Sequence, residues 1–283
     1  MRVHVVRVPY DAGNRGVRMG KGPERLGGAD RLRSLGADVT EATVEASTRF
    51  RAEIGTTFDL HRTLAAEVRG ALAAGRFPLV LSGNCGAVVG AVGGLGARTA
   101  LAWFDGHGDF NTPETTRSGF LDGMALAVAT GRCFRGLARS VPGFAPVPEQ
   151  EAFLVGARDL DPEERTAVEG SRLGWVTVPQ IRKEGAAAAL QPVLSRLTAR
   201  RIHVHVDLDV HDPALAPANE FAPPGGLTPR EVQDAVRAIG AALPICSASI
   251  GAYDPSADPE GRALAAGQGL IELFAALSEP APS

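Results

Sequence analysis

Two runs in this 283-residue chain carry apolar strand-like sequence straight into acid and imidazole. Thr99–Phe104 is followed by Asp105-Gly-His-Gly-Asp109, and the run His203-Val-His-Val-Asp-Leu-Asp-Val-His-Asp-Pro213 places Asp207 and Asp209 at the end of a second such stretch. Side chains at i and i+2 share one face of a strand, so Asp105, His107 and Asp109 point one way, as do Asp207 and Asp209. Either run alone is also explained by helix caps and turn formers. Buried carboxylates, however, are strongly disfavoured unless paired or metal-bound. Two carboxylate-rich strand ends together have the layout of a binuclear metal site.

The rest of the chain agrees with a fold that gathers strand ends. Val3–Val8, Pro78–Leu81, Thr99–Phe104, Glu151–Val155, Leu173–Val176, Ile202–Val206 and Pro244–Ser249 read as strands. They alternate with the helical stretches Asp59–Ala74, Asp161–Glu169, Ala186–Ala199, Thr228–Gly240 and Pro259–Leu277. That alternation predicts an α/β class, a mostly parallel, doubly wound sheet with helices on both faces. Thr228-Pro-Arg-Glu231 has the form of a capping box with Pro at the first helical position. Cys133–Glu151, with three prolines and little periodicity, reads as a loose surface loop. No linker or composition break divides residues 1–283, which favours a single domain. In such a sheet the ligand site lies beyond the carboxyl ends of the strands, where all the metal-ligand candidates fall.

Composition removes several functions. With 29 Lys and Arg against 32 Asp and Glu there is no basic stripe for nucleic acid. No segment has the apolar length of a membrane span, and the first residues lack a signal-peptide pattern. Cys85, Cys133 and Cys246 are scattered and odd in number, which predicts free thiols and a cytoplasmic location.

Several motifs in order resemble the arginase-type ureohydrolases, a family that includes agmatinases and formiminoglutamases. They are Val8-Pro-Tyr-Asp-Ala-Gly13, Ser82-Gly-Asn-Cys-Gly86, Asp105-Gly-His-Gly-Asp-Phe-Asn-Thr-Pro113, Gly156-Ala-Arg-Asp-Leu-Asp-Pro162, Asp207-Leu-Asp-Val-His-Asp-Pro213 and Gly225-Gly-Leu-Thr228. The resemblance implies a three-layer α/β/α fold with a two-manganese cluster. It implies that Asp105 and Asp207 bridge the metals, that Asp109 binds the first and that His107 and Asp209 bind the second. Such a cluster generates a bridging hydroxide at neutral pH, which would attack an sp² carbon carrying nitrogen. Asn111 and Ser118 match positions that hold an amino acid's α-carboxylate, and Asp161 and Glu164 match those near its α-ammonium.

Three positions depart from the family pattern. Cys85 stands where the family places a histidine ligand of the first metal. It is expected to ligate, because it follows Ser82-Gly-Asn at a strand end, and a thiolate shifts preference from manganese toward zinc or cobalt. Asp122 replaces a histidine thought to shuttle protons, and reads either as an acid with a raised pKa or as a turn residue before Gly123. Ala252 occupies the place of a carboxylate that hydrogen-bonds the guanidinium, a contact methyl cannot make. Phe120 and Phe221 imply a narrower, drier pocket. His205 shares the face of Asp207 and reads either as a second hydrogen-bonding or proton-donating group or as a core histidine.

These features are most similar to the branch that hydrolyses Nω-hydroxy-L-arginine to L-ornithine and hydroxyurea in D-cycloserine biosynthesis. The expected partner is therefore a small guanidino amino acid, and the expected protein a monomer or homo-oligomer, the short end Glu279–Ser283 offering no obvious tail. Hydrolysis of another amidino, formimino or amide compound, and a metal-binding pseudoenzyme, stand as the alternative readings.

Overall fold

The computed structural model describes residues 1–47 and 52–278. Its strands are β1 (Arg2–Val8), β2 (Tyr10–Asp11), β3 (Asn14–Arg15), β4 (Asp38–Thr43), β5 (Phe77–Ser82), β6 (Ala100–Phe104), β7 (Ala152–Val155), β8 (Gly174–Val176), β9 (Ile202–Asp207) and β10 (Ile245–Gly251). β2 and β3 form a small antiparallel hairpin, and the other eight make one parallel sheet in the order β4-β1-β5-β10-β9-β6-β7-β8. The chain leaps from β5 to β6 across a gap that β9 and β10 later fill. The loops after β5, β6, β9 and β10 therefore meet at one end of the sheet, where ligand sites form in doubly wound folds.

Period-two alternation divides the core into two layers. Val3, Val5, Leu79, Leu81, Ala102, Phe104, Val204, Val206 and Ile250 pack with Leu32, Val236 and Ile271 from helices on one face. Leu101, Trp103 and Leu154 face the other way, against Val88, Val89 and Val92, and Val6, Val8 and Val80 pack beside them on Leu64 and Val68. Full burial on both faces is why the central strands read as continuous apolar runs.

The helix Ala87–Leu95, which positions Cys85 at its entrance, carries no amphipathic signal because every residue in it is buried. It lies directly on the helix Glu53–Ala73, and its glycines permit the approach. A Cβ on Gly90 would sit 2.9 Å from the His61 carbonyl oxygen, and one on Gly94 would sit 2.8 Å from that of Ala65.

Most predicted elements form within a few residues of their expected ends, including the Thr228 capping box and Pro229–Ala242. The last helix starts at Arg262, later than Pro259, because the Asp258 carboxylate accepts the Arg262 and Leu264 amides after Gly261 turns left-handed. The helix expected over Ala186–Ala199 ends at Leu194. Cys133–Glu151 is largely irregular, as expected, but it is not loose: Cys133, Ala138, Val141 and Val147 are buried in the second core. The expectation drawn from Glu279–Ser283 lies outside the described residues. None of the described helices is long and apolar enough to cross a membrane.

Two consequences are measurable. Gly94→Ala forces the helix pair apart and should lower unfolding free energy by about 1–3 kcal/mol in denaturant titrations. His61 is buried at this crossing, edge-on to Phe58, and burial holds its pKa down at about 3. Because the unfolded imidazole titrates near 6.5, the unfolded state gains the proton first as pH falls. Stability present above pH ~6.5 is then lost toward pH ~3, by up to about 1.4 kcal/mol per pH unit from this group. Denaturant midpoints measured from pH 7 to 4 should fall less steeply in His61→Leu.

Candidate metal centre and substrate cavity

Asp207 is the last residue of β9 and Asp105 follows β6 directly, so two adjacent parallel strands deliver both carboxylates to one point. Each is held by local donors. Asp105 accepts from the Trp103 indole at 2.9 Å and from the His107 amide at 2.7 Å. Asp207 accepts from the Asp209 amide at 2.7 Å, and Asp209 from the Gly106 amide at 2.9 Å. The two acidic loops are thus tied directly to each other. His107 Nδ1 lies 3.2 Å from Asp209 and 3.4 Å from Asp105.

Arg158 completes the frame. Its guanidinium donates to the carbonyls of Gly156, Asp209, Val210, His211, Pro223 and Pro224, fastening the segment that carries Asp209. Nothing in the sequence marks this role beyond the Gly-Ala-Arg-Asp motif. A half-buried fork of N–H donors saturating carbonyls from three loops is recognisable only once those loops are brought together.

The electrostatics of the cluster call for a cation. Burial, with the charges of Asp209 and Asp105, pushes Asp207 well above the usual carboxylate range. Burial, with Asp105 and Asp122, does the same to Asp109. Asp105 is raised by burial and Asp209. Asp209 alone is lowered, because against its burial the His107 imidazolium stabilises the anion. The Cys85 thiol donates to Asp207 Oδ2 at 2.9 Å, and burial plus the surrounding carboxylates push its pKa well up.

Two trios place one donor atom from each residue within 4.8 Å of the others: Asp105, His107 and Asp209, and Cys85, Asp105 and His205. Asp105 is common to both. Sulfur, nitrogen and carboxylate oxygen donors around a shared carboxylate fit a pair of divalent ions.

A cavity of about 390 Å³ opens onto this cluster. Of the residues singled out from sequence, Cys85, His107, Asp109, Asp122, Asp207 and Asp209 line it, as do Asn111, Ser118, Asp161 and Glu164. Asp105 and His205 do not; they lie beneath the floor, His205 being fully buried against Trp103. His205 therefore does not face substrate as a proton donor on the cavity wall would.

Asp122 is not a free turn residue. Its carboxylate accepts the Gly86 amide at 2.7 Å, the Cys85 amide at 3.0 Å and the Asn84 side chain at 2.9 Å, closing the entrance to the helix Ala87–Leu95. Burial pushes its pKa up to about 7 against these hydrogen bonds.

Glu164 accepts the Phe110 amide at 2.8 Å, and burial raises it to about 7. Asn111 is buried between Thr115 and Asp161, whereas Ser118 stands at the open rim. The rings of Phe120 and Phe221 meet at 6.0 Å across the mouth. Ala252 contributes an apolar wall with φ of 60°, its carbonyl held by Asn219. Asn219 and Arg18 also line the cavity and were not foreseen, since neither sits in a patterned motif.

Comparison with known proteins agrees with this architecture. Residues 1–275 match the family described as the arginase family. The arginase of Bacillus caldovelox is 29% identical over 280 residues, covering 92% of this chain and 93% of that protein. The arginase of Brevibacillus brevis is 30% identical over 276 residues, covering 90% and 91%. The crystal structure of arginase from Bacillus cereus superposes with a TM-score of 0.86 at 26% identity over 100% of both chains. Members of the family use a binuclear metal centre, typically of manganese, to hydrolyse C–N bonds. This chain is accordingly a metal-dependent hydrolase of guanidino compounds and belongs to the arginase family.

Proposed function

We propose that the chain hydrolyses a guanidino amino acid whose guanidino group is less basic than that of arginine, Nω-hydroxy-L-arginine in preference to L-arginine, releasing L-ornithine and hydroxyurea. The observation that carries this reading is the Ala252 wall. A guanidinium entering this cavity meets methyl where an ion pair would be needed, and an unpaired buried charge is strongly penalised. An N-hydroxy substituent lowers guanidine basicity, so the hydroxylated substrate gives up its proton on entry far more readily and the penalty is reduced.

The remaining wall supports an α-amino acid. Asn111 and Ser118 offer donors for a carboxylate, and Asp161 and Glu164 offer acceptors for an ammonium. Phe120 and Phe221 across the mouth would exclude water once the substrate is in place, strengthening every polar contact inside. Asp105, His107, Asp109, Asp207 and Asp209, with Cys85, would hold two divalent ions. Ions so held lower the pKa of a shared water and supply a nucleophile at neutral pH. Asp122, on the cavity wall beside Cys85, is placed to pass a proton to the departing amine. Free thiols at Cys85, Cys133 and Cys246 support a reducing, cytoplasmic setting.

The experiment is ornithine release by metal-loaded protein from each substrate. We expect kcat/KM for the hydroxylated compound to exceed that for L-arginine by about 100-fold, or ~2.7 kcal/mol of transition-state stabilisation. Equal rates would refute a neutral-guanidine site. Turnover of neither, with two ions bound, would favour an amidino, formimino or amide substrate, which the same apolar wall also suits.

Asp122→Asn tests the proton role separately. The amide keeps only one of the two oxygens that accept the Gly86, Cys85 and Asn84 donors, so some metal is lost with the loop's grip, but kcat per bound metal should still fall about 10²-fold or more. A variant that loses metal in step with activity would assign Asp122 to loop positioning alone.

A further inference from the structure

His205 has an unused coordination site. It stands on β9 two residues before Asp207, so both side chains share the face toward Leu101 and Trp103. Its Nδ1 is 2.8 Å from Ser249 Oγ, but its Nε2 is fully buried with no hydrogen-bond partner among the described residues. Leaving an imidazole nitrogen desolvated and unpaired is unfavourable, and a bound ion would remove that cost. The ring is held firmly by the Trp103 indole, with centroids 4.3 Å apart.

The space that Nε2 faces has the features of a built site. Cys85 Sγ, an Asp105 carboxylate oxygen and a ring nitrogen of His205 lie within 4.8 Å of one another, and the other side of the ring is committed through Nδ1 to Ser249. A second orphaned polar atom, Ser82 Oγ, borders the same spot. Gly251 leaves it open: a Cβ there would come within 3.4 Å of both the His205 ring and Ser82 Oγ, and 3.6 Å of Cys85 Sγ.

The ring's hydrogen-bonding neighbours suit a ligand. Ser249 Oγ is shared with His203 Nε2 at 2.9 Å, and His203 Nδ1 reaches Ser247 Oγ at 2.7 Å. Protons can run along this row from His205 Nδ1–H to Ser249, from Ser249 to His203 and from His203 to Ser247. That order leaves a lone pair on His205 Nε2, the tautomer a metal ligand requires, with the opposite ring nitrogen donating outward.

We infer that His205 Nε2, Cys85 Sγ and Asp105 directly ligate one of the two divalent ions, forming a mixed N, S, O site that prefers zinc or cobalt to manganese. Thiolate and imidazole favour borderline-soft ions in tetrahedral geometry, whereas the Asp105, His107 and Asp209 trio is a harder donor set. The centre would therefore hold two unlike ions sharing Asp105. This inference rests on the binuclear reading of the site but assigns His205 to the ion and not to substrate.

The test loads the wild-type protein and His205→Gly with Zn(II), Co(II) and Mn(II), reading metal content, Co(II) absorption and zinc-edge X-ray absorption. The expected wild-type result is one zinc with sulfur and imidazole scatterers, and a cobalt thiolate charge-transfer band. In His205→Gly, zinc affinity at that site should fall more than 100-fold and recover on addition of free imidazole, with manganese uptake at the other trio retained. His203→Gln, which alters only the hydrogen-bonded row, should cost about 10-fold or less.

A thiolate band and zinc affinity unchanged in His205→Gly would overturn the inference. So would a His205 15N resonance in the wild-type protein that does not move on zinc binding, a measurement that stands even if His205→Gly does not fold. Two bound ions with His205 silent would sink this assignment alone. Failure of the wild type to bind any of the three metals would sink the binuclear reading with it.

Discussion

Asp105, Asp109, Asp207 and Asp209 are buried together, and no arrangement of protein donors alone makes that comfortable. Backbone amides from the neighbouring loops and one imidazole offset part of the repulsion, while burial keeps three of the four carboxylates above their ordinary range. Much of the surrounding architecture can be understood as what is needed to hold like charges in close quarters. The Trp103 indole, the amides of Gly106 and His107 and the six-carbonyl grip of Arg158 all oppose the tendency of these loops to separate. Removing any one of them releases electrostatic strain as well as a hydrogen bond.

How much of this could be read beforehand depended on whether a signal was local. The central strands announced themselves because burial on both faces demands apolar runs. The carboxylates ending β6 and β9 stood out because nothing in such a run tolerates them without compensation. The edge strand β4 was missed, since its sequence Asp-Val-Thr-Glu-Ala-Thr is mostly solvent-facing and its strand character comes from pairing with β1. The helix Ala87–Leu95 was missed for the opposite reason: wholly buried and rich in glycine, it has neither an amphipathic stripe nor high propensity.

The site shows the same division. Its acidic and imidazole candidates lie in two short runs and were legible, as was the fold class that brings strand ends together. Asp122 was ambiguous because its partners, the amides of Cys85 and Gly86, are far away in sequence. His205 was ambiguous because a buried histidine on a strand looks the same whether its second nitrogen is satisfied or not; only the packed neighbourhood distinguishes them. Arg158 and Asn219 bind carbonyl groups, which every residue possesses and no sequence pattern marks.

Asp122 grips the backbone of residues 85 and 86, not the side chain at 85. The loop's shape is thus independent of which donor it displays. On the proposed reading, the donor at 85 could be exchanged in this chain without rebuilding the turn, so the ion's surroundings would be set by one side chain and the loop's shape by another. Shape and donor chemistry are thus divided between two residues, as in a socket whose frame is separate from its contact.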